Sequence, residues 1–231
     1  MKKFQEMCQE EFEKIELMAR GGQKIVFDGV HNSYGETVIK LYFQLNDPRS
    51  LREIQIERDL NLSMVPKIYE TGTIEYEGTE TLYIIEQKVK GTELRKVLES
   101  GKRFSLEEAV TFLEQGLEFI ACIENKGIVH RDIKPENIIR ADDGRIFFLD
   151  FGIARILGAD SLTRTGAMMG PHTPGYAAPE QFNNLKKEID SRADIFSLGV
   201  VTYECITGNY KVVWIVESIF NALTLWQLGI P

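Results

Sequence analysis

An α+β fold in two parts is expected from three features of the chain. From about Phe12 to Glu86, short apolar or alternating runs are separated by Gly, Asn and Asp turns, which is how a strand-rich segment reads. One amphipathic helix interrupts them between Ser50 and Leu60. After Lys90-Gly91-Thr92 the pattern becomes helical. The chain has 231 residues, enough for one substantial domain or two small lobes around one site, and its 43% of hydrophobic residues can supply a core.

The elements follow in order. Phe4 to Ile15 reads as a short amphipathic helix or as the lead into a first strand. Strands are expected at Ile25-Val26-Phe27, Val38 to Tyr42, Ile68 to Ile74 and Leu82 to Glu86. The helix near Ser50 carries apolar Leu51, Ile54 and Leu60, with Ile56 between them. Ser105-Leu106-Glu107-Glu108 has the form of a capping box, and the helix it opens should run to about Lys126, with Gly127 as its stop. Ile146 to Leu149 is a short buried strand. Val212 to Ile230 is unusually apolar, with Glu217, Asn221 and Thr224 forming one polar stripe. Polar groups interrupt it too often for a membrane span, so a core or partner-facing helix is expected there.

Composition narrows the partners. A net charge of -8 argues against nucleic acid, whose binding rests on cationic contacts to phosphate. Cys8, Cys122 and Cys205 are odd in number, far apart and without a C-x-x-C pair, so free thiols in a reducing compartment are expected. The start, Met1-Lys2-Lys3, is followed by Glu6, Glu10, Glu11 and Glu13 rather than by the apolar centre of a signal peptide. Of the three histidines, His31 is expected at the surface and His130 packed and hydrogen-bonded, with no metal-binding cluster.

Three motifs carry chemistry: His130-Arg131-Asp132-Ile133-Lys134-Pro135-Glu136-Asn137, then Asp150-Phe151-Gly152, then Ala178-Pro179-Glu180. Each alone is weak; in this order they resemble the catalytic loop, metal loop and activation-segment end of a protein kinase. Lys134, two residues after Asp132, resembles the serine/threonine branch. The resemblance implies a protein-kinase-like bilobal fold, with an antiparallel-sheet N-lobe containing one helix and a mainly helical C-lobe. It also implies ATP and Mg2+. Phosphoryl transfer asks a protein mainly for positioning and charge neutralisation. Asp132 would take the proton of the acceptor hydroxyl, and Lys134 would meet the transferring phosphate. Asn137 and Asp150 would offer oxygens to the metal, a hard cation that keeps several waters.

The same resemblance extends upstream. Val38-Ile39-Lys40 looks like the strand whose lysine holds nucleotide phosphates, and Gly21-Gly22 with Val26 looks like the phosphate-covering loop. Here the chain departs from the family: Ala19 stands at the first glycine position and Lys24 at the third, where a side chain limits the backbone but an ammonium could contact phosphate. Glu53 stands where the family's lysine-pairing glutamate falls, with Glu57 as the rival one turn later. Glu86, rather than Ile85, falls at the gatekeeper position of the nucleotide site, although one residue of slip reverses that.

Ser161 to Gly170 resembles the activation loops of bacterial serine/threonine kinases, making Thr163 and Thr165 candidate autophosphorylation sites that Arg131 could pair with. Thr173 matches the substrate-pocket threonine, with Pro171-His172 as an apparent insertion. Asp190 to Ile206 resembles the buried central helix of the large lobe, in which Asp194 would hold the catalytic-loop backbone. After Gly208 the resemblance stops. One kinase domain over 1–231 is therefore expected: an N-lobe at 12–88, a partial C-lobe at 89–208 lacking its last helices, and an atypical apolar tail at 209–231. The chain would be a natural short form or a truncated or frameshifted one.

The expected function is a cytoplasmic serine/threonine protein kinase of bacterial type, acting on Ser and Thr hydroxyls of proteins. A pseudokinase serving as a binding module and a small-molecule phosphotransferase of the same broad fold are the alternatives. The tail would fold back on the central helix or join a second copy in a homodimer.

Overall fold

In a computed structural model the described residues are 2–22, 24–43, 51, 54–56, 58, 60, 62–151, 155–156, 175–183, 185 and 188–209. They fall into two units, Met1–Gly91 with Ala141–Ile153, and Thr92–Arg140 with Ala154–Pro231.

The first unit is built on a five-stranded antiparallel sheet. Helix α1, Phe4–Glu11, leads directly into β1, Phe12–Arg20, so the N-terminal segment is helix and strand in succession. Then come β2, Lys24–His31, β3, Gly35–Tyr42, β4, Ile68–Tyr76, and β5, Thr79–Gln87, arranged β1-β2-β3-β5-β4. Leu51, Ile54–Ile56, Arg58 and Leu60 are helical, as the apolar spacing there suggests.

Alternation sorts the sheet into two faces. Ile25, Phe27, Ile39, Leu41, Ile74 and Ile85 pack with Phe4 and Met7 of α1 in one core. The Phe4 ring lies 4.9 Å from Phe27 and 5.4 Å from Tyr76. Val26 pairs with Lys40, Lys24 with Tyr42, and Lys40 with Ile84 across the ladders, so these residues share the opposite face with Glu86. On that side Tyr42 and Ile84 pack against Ile54.

Two expectations about this sheet need correction. Strand β2 does not stop at Phe27. Its alternation runs on through Asp28-Gly29, because Gly29 is a close-packing position rather than a turn. A Cβ there would stand 2.9 Å from Ile39 Cδ1 and 3.1 Å from Phe12 Cδ1. In consequence His31, expected at the surface, is buried. Its ring stacks on Tyr34 at 4.4 Å, and its Nδ1 accepts from the Ser33 and Tyr34 N–H groups. Strands β4 and β5 run somewhat further than their apolar runs, up to a two-residue turn. Glu77 and Gly78 there both have positive φ, 49° and 77°, the conformation that matches strand twist in a tight hairpin.

The second unit is mainly helical, with α2, Leu94–Glu99, α3, Leu106–Glu124, α4, Pro179–Phe182, and α5, Ser191–Thr207. The capping box forms as read: the Glu108 N–H donates to Ser105 Oγ at 3.2 Å, and the Ser105 N–H donates to Glu108 Oε2 at 3.0 Å. The cap N–H, with Arg140 and Lys102, draws the Glu108 carboxyl down to about 2. Helix α3 ends two residues short of Lys126, with Gly127 beyond it at φ 69°. Helix α5 is capped by Asp190, which accepts from the Arg192 N–H, and closed by Gly208 at φ 74°. Helices α3 and α5 pack closely because Gly116 faces Leu198; a Cβ would fall 2.5 Å from Leu198 Cδ1. The tail assigned to 209–231 lies, apart from Asn209, outside the described residues.

Candidate active site

The second unit carries the HRD-type loop. A short strand, Ile128–Val129, delivers the chain to His130, and the 3-10 turn Pro135–Asn137 carries it away. Proline suits the first position of that turn because its missing N–H would have no partner there. The turn, closed by an Asn137 N–H to Lys134 O bond of 3.0 Å, folds the loop back on itself. Residues two and five places after Asp132 thereby reach its carboxylate. Lys134 Nζ and Asn137 Nδ2 donate to Asp132 Oδ2 at 2.7 and 2.9 Å, and Asn137 Nδ2 also meets the Asp132 carbonyl at 2.9 Å. Both of these bonds use the Nδ2 end of the Asn137 amide. His130 is fully buried, and its Nδ1 accepts from the Asp132 N–H at 3.3 Å.

The loop backbone is held from two sides. Asp194, on α5 and fully buried, accepts the His130 N–H at 2.8 Å and the Arg131 N–H at 2.7 Å. Gln181, on α4, donates to the Arg131 carbonyl at 2.8 Å. Between these anchors Arg131 takes φ 71°, a left-handed conformation costing a non-glycine residue about 1–2 kcal/mol. Such strain persists only where the surroundings over-determine it, and here the carboxylate and the amide do so. Burial pushes the Asp194 carboxyl up to about 7 against the opposing pull of the two N–H donors.

A charged network that the sequence reading missed lies in the same unit. Arg95 of α2 donates to Glu136 Oε1 and Glu204 Oε1, each at 2.7 Å, and to the Tyr176 hydroxyl. The Tyr176 hydroxyl donates to Glu204 Oε2 at 2.7 Å, and burial with Glu204 pushes it well above the usual phenol range. The available signal was Glu204, a charge inside the apolar stretch of α5.

The first unit carries the other candidates. Lys40 on β3 forms an ion pair of 2.8 Å with Glu86 on β5, and their side chains are only 10% and 5% exposed. The register puts Glu86 on the Lys40 face and Ile85 in the core beneath α1. Gly21 and Gly22 lie in the β1–β2 turn, where the Gly21 N–H donates to Lys24 O at 2.9 Å, and Val26 follows on β2. Lys24 Nζ stands 3.4 Å from Asp150 Oδ2 and 5.6 Å from the Tyr42 ring centre. Asp150 follows the buried strand Ile146–Phe148, whose Phe148 N–H donates to Met64 O at 2.9 Å, and precedes fully buried Phe151. Anchored on both sides, Asp150 adopts φ 65° and keeps its carboxylate 39% exposed. Among the described residues only Glu77, Arg131 and Asp150 are non-glycines at positive φ, and two of these belong to the chemical motifs.

Taken separately, the Asp150 carboxylate in the first unit and the Asn137 amide oxygen in the second are each the hard oxygen type that magnesium takes. Glu53, its rival Glu57, Gly152, Thr163, Thr165 and Thr173 lie outside the described residues. Among the described residues no cluster of three or more His, Cys, Asp or Glu side chains could hold a metal, and no helix is long and apolar enough to cross a membrane.

The protein kinase domain family matches residues 12–218. The chain is 34% identical over 201 residues to the serine/threonine-protein kinase PknA of Mycobacterium tuberculosis, covering 83% of this chain and 46% of that protein. It is 32% identical over 206 residues to the probable serine/threonine-protein kinase PknB of Corynebacterium glutamicum, covering 85% of this chain and 31% of that protein. The chain thus spans about a third to a half of the length of these relatives. With the motifs in order, a sheet unit and a helical unit built as that fold requires, and a match over most of its length, the chain belongs to the protein kinase domain family.

Proposed function

We propose that the chain is an ATP- and Mg2+-dependent serine/threonine protein kinase. The carrying observation is the Asp132 carboxylate held by Lys134 and Asn137 on a loop whose backbone is bonded to Asp194 and Gln181. Asp132 accepts the proton of a Ser or Thr hydroxyl as its oxygen bonds to the γ-phosphorus of ATP, the bond to the β,γ-bridging oxygen breaks and ADP leaves. Lys134, already 2.7 Å from Asp132, neutralises charge on the transferring group. Lys40 holds the nucleotide phosphates, while Gly21, Gly22 and Val26 cover them, and Glu86 stands at the gatekeeper position. Asn137 and Asp150 hold the metal, which when bound would supply Lewis-acid polarisation of the phosphates. Lys24, 3.4 Å from Asp150, carries an ammonium that would contact a nucleotide phosphate. Glu53 is the family's partner for Lys40, and Thr173 lines the substrate pocket.

The names of the relatives support the kinase reading over a pseudokinase. Three separated thiols support a reducing, cytoplasmic setting. Proteins bearing Ser or Thr are the proposed substrates, nucleic acid is not a partner, and a second copy of the chain is one the apolar tail could recruit.

Autophosphorylation tests this reading. After incubation with MgATP, mass spectrometry should find phosphate on Thr163, Thr165 or both, and Arg131→Ala should weaken the effect of that modification on activity. Phosphate confined to other sites, or activity indifferent to both threonines, would remove the activation-loop part of the proposal.

A further inference from the structure

Resting on the kinase reading above, we propose that Glu86 is a positioning residue for Lys40, fixing its ammonium for the nucleotide phosphates. The observation is the buried ion pair of 2.8 Å between neighbouring strands of one sheet. Val38 lies opposite Glu86 and Lys40 opposite Ile84, so the two side chains meet on a diagonal of the ladder, on the same face.

Their surroundings make this more than a chance contact. On that face Tyr42 and Ile84 are almost wholly buried and pack with Ile54. An apolar side chain at position 86 would suit such neighbours, whereas a carboxylate there is costly unless it is paired. A carboxylate held in spite of that cost has its ammonium partner as its evident purpose. Because strand β5 carries it, the ladder of hydrogen bonds sets the distance between the two charged groups. An ammonium has three donors, so one lysine can serve a carboxylate and a phosphate together.

The role differs from that of Glu53, which the family resemblance assigns to a helix. The Glu86 contact places a carboxylate for Lys40 within the sheet itself, so the sheet contributes to lysine placement whatever the helix does.

The test uses the full chain and an ATP-derived acyl phosphate, which acylates a lysine lying at the nucleotide phosphates and needs no turnover. Wild type, Glu86→Gln and Glu86→Asp are compared by mass spectrometry at Lys40, with circular dichroism to verify folding. Glu86→Gln keeps the shape and loses the charge. It should fold, label Lys40 at least tenfold more slowly and lower kcat by a similar factor. Glu86→Asp, which restores the charge on a shorter arm, should recover part of both. A folded Glu86→Gln that labels Lys40 within twofold of wild type overturns the positioning role alone. Failure of the wild type to label at Lys40 overturns the positioning role and the nucleotide-binding reading together.

Discussion

Replacing Asp132 by Asn will slow phosphoryl transfer by about 10^2–10^4-fold, the range lost when a positioned general base is removed. The fold should survive. Asn preserves the shape of the side chain and one oxygen, so Lys134 or Asn137 can still donate to it. The effect should therefore appear in single-turnover rates with labelled ATP, while circular dichroism and the melting temperature change little. A rate within tenfold of wild type would remove Asp132 from the chemistry.

Asp194→Ala should act in the opposite sense, on the fold first. Its carboxyl is fully buried and accepts two backbone N–H groups, those of His130 and Arg131. Alanine leaves both donors without that acceptor, at about 1–3 kcal/mol for each buried group. A loss of roughly 2–6 kcal/mol is large against a domain stability of about 5–15 kcal/mol. For a chain of this size it corresponds to a melting temperature lower by roughly 5–20 °C. Activity should fall as well, because Arg131 would no longer be held at its strained φ. The pH dependence has a definite sign. The folded-state value, about 7, lies above the ordinary 3.8, so this carboxyl stabilises most below about pH 4 and loses that contribution as pH rises through about 7. The stability gap between wild type and Asp194→Ala should accordingly narrow from acid to neutral pH. An unchanged melting temperature in the variant would show that the loop is held by other means.

What could be read from the sequence was mostly local. The spacing of Asp132, Lys134 and Asn137 becomes contact through one short turn, so the motif alone implies the geometry. Ser105 and Glu108 make their cap within four residues. What could not be read depends on register or on distant segments. Gly29 looks like a turn residue in sequence, and only the approach of Ile39 and Phe12 explains it within a strand. His31 followed it into the interior. Deciding which of Glu86 and Ile85 shares the Lys40 face needed the β3–β5 register, because one residue of slip exchanges them. Lys24 and Asp150 are 126 residues apart, and Arg95 reaches Glu204 across 109. No periodicity carries information over such separations.

The central claim is transfer of a phosphoryl group to serine or threonine with help from a metal held at Asp150. The most direct measurement incubates the chain with Mg2+ and ATP labelled on its γ-phosphate, beside Asp150→Asn and a sample with chelator added. Label should appear as phosphoserine or phosphothreonine in wild type, and only there, while Asp150→Asn keeps its fold because its carboxylate is partly exposed. Label absent from a folded wild-type chain, or equal in wild type and Asp150→Asn, would contradict the account.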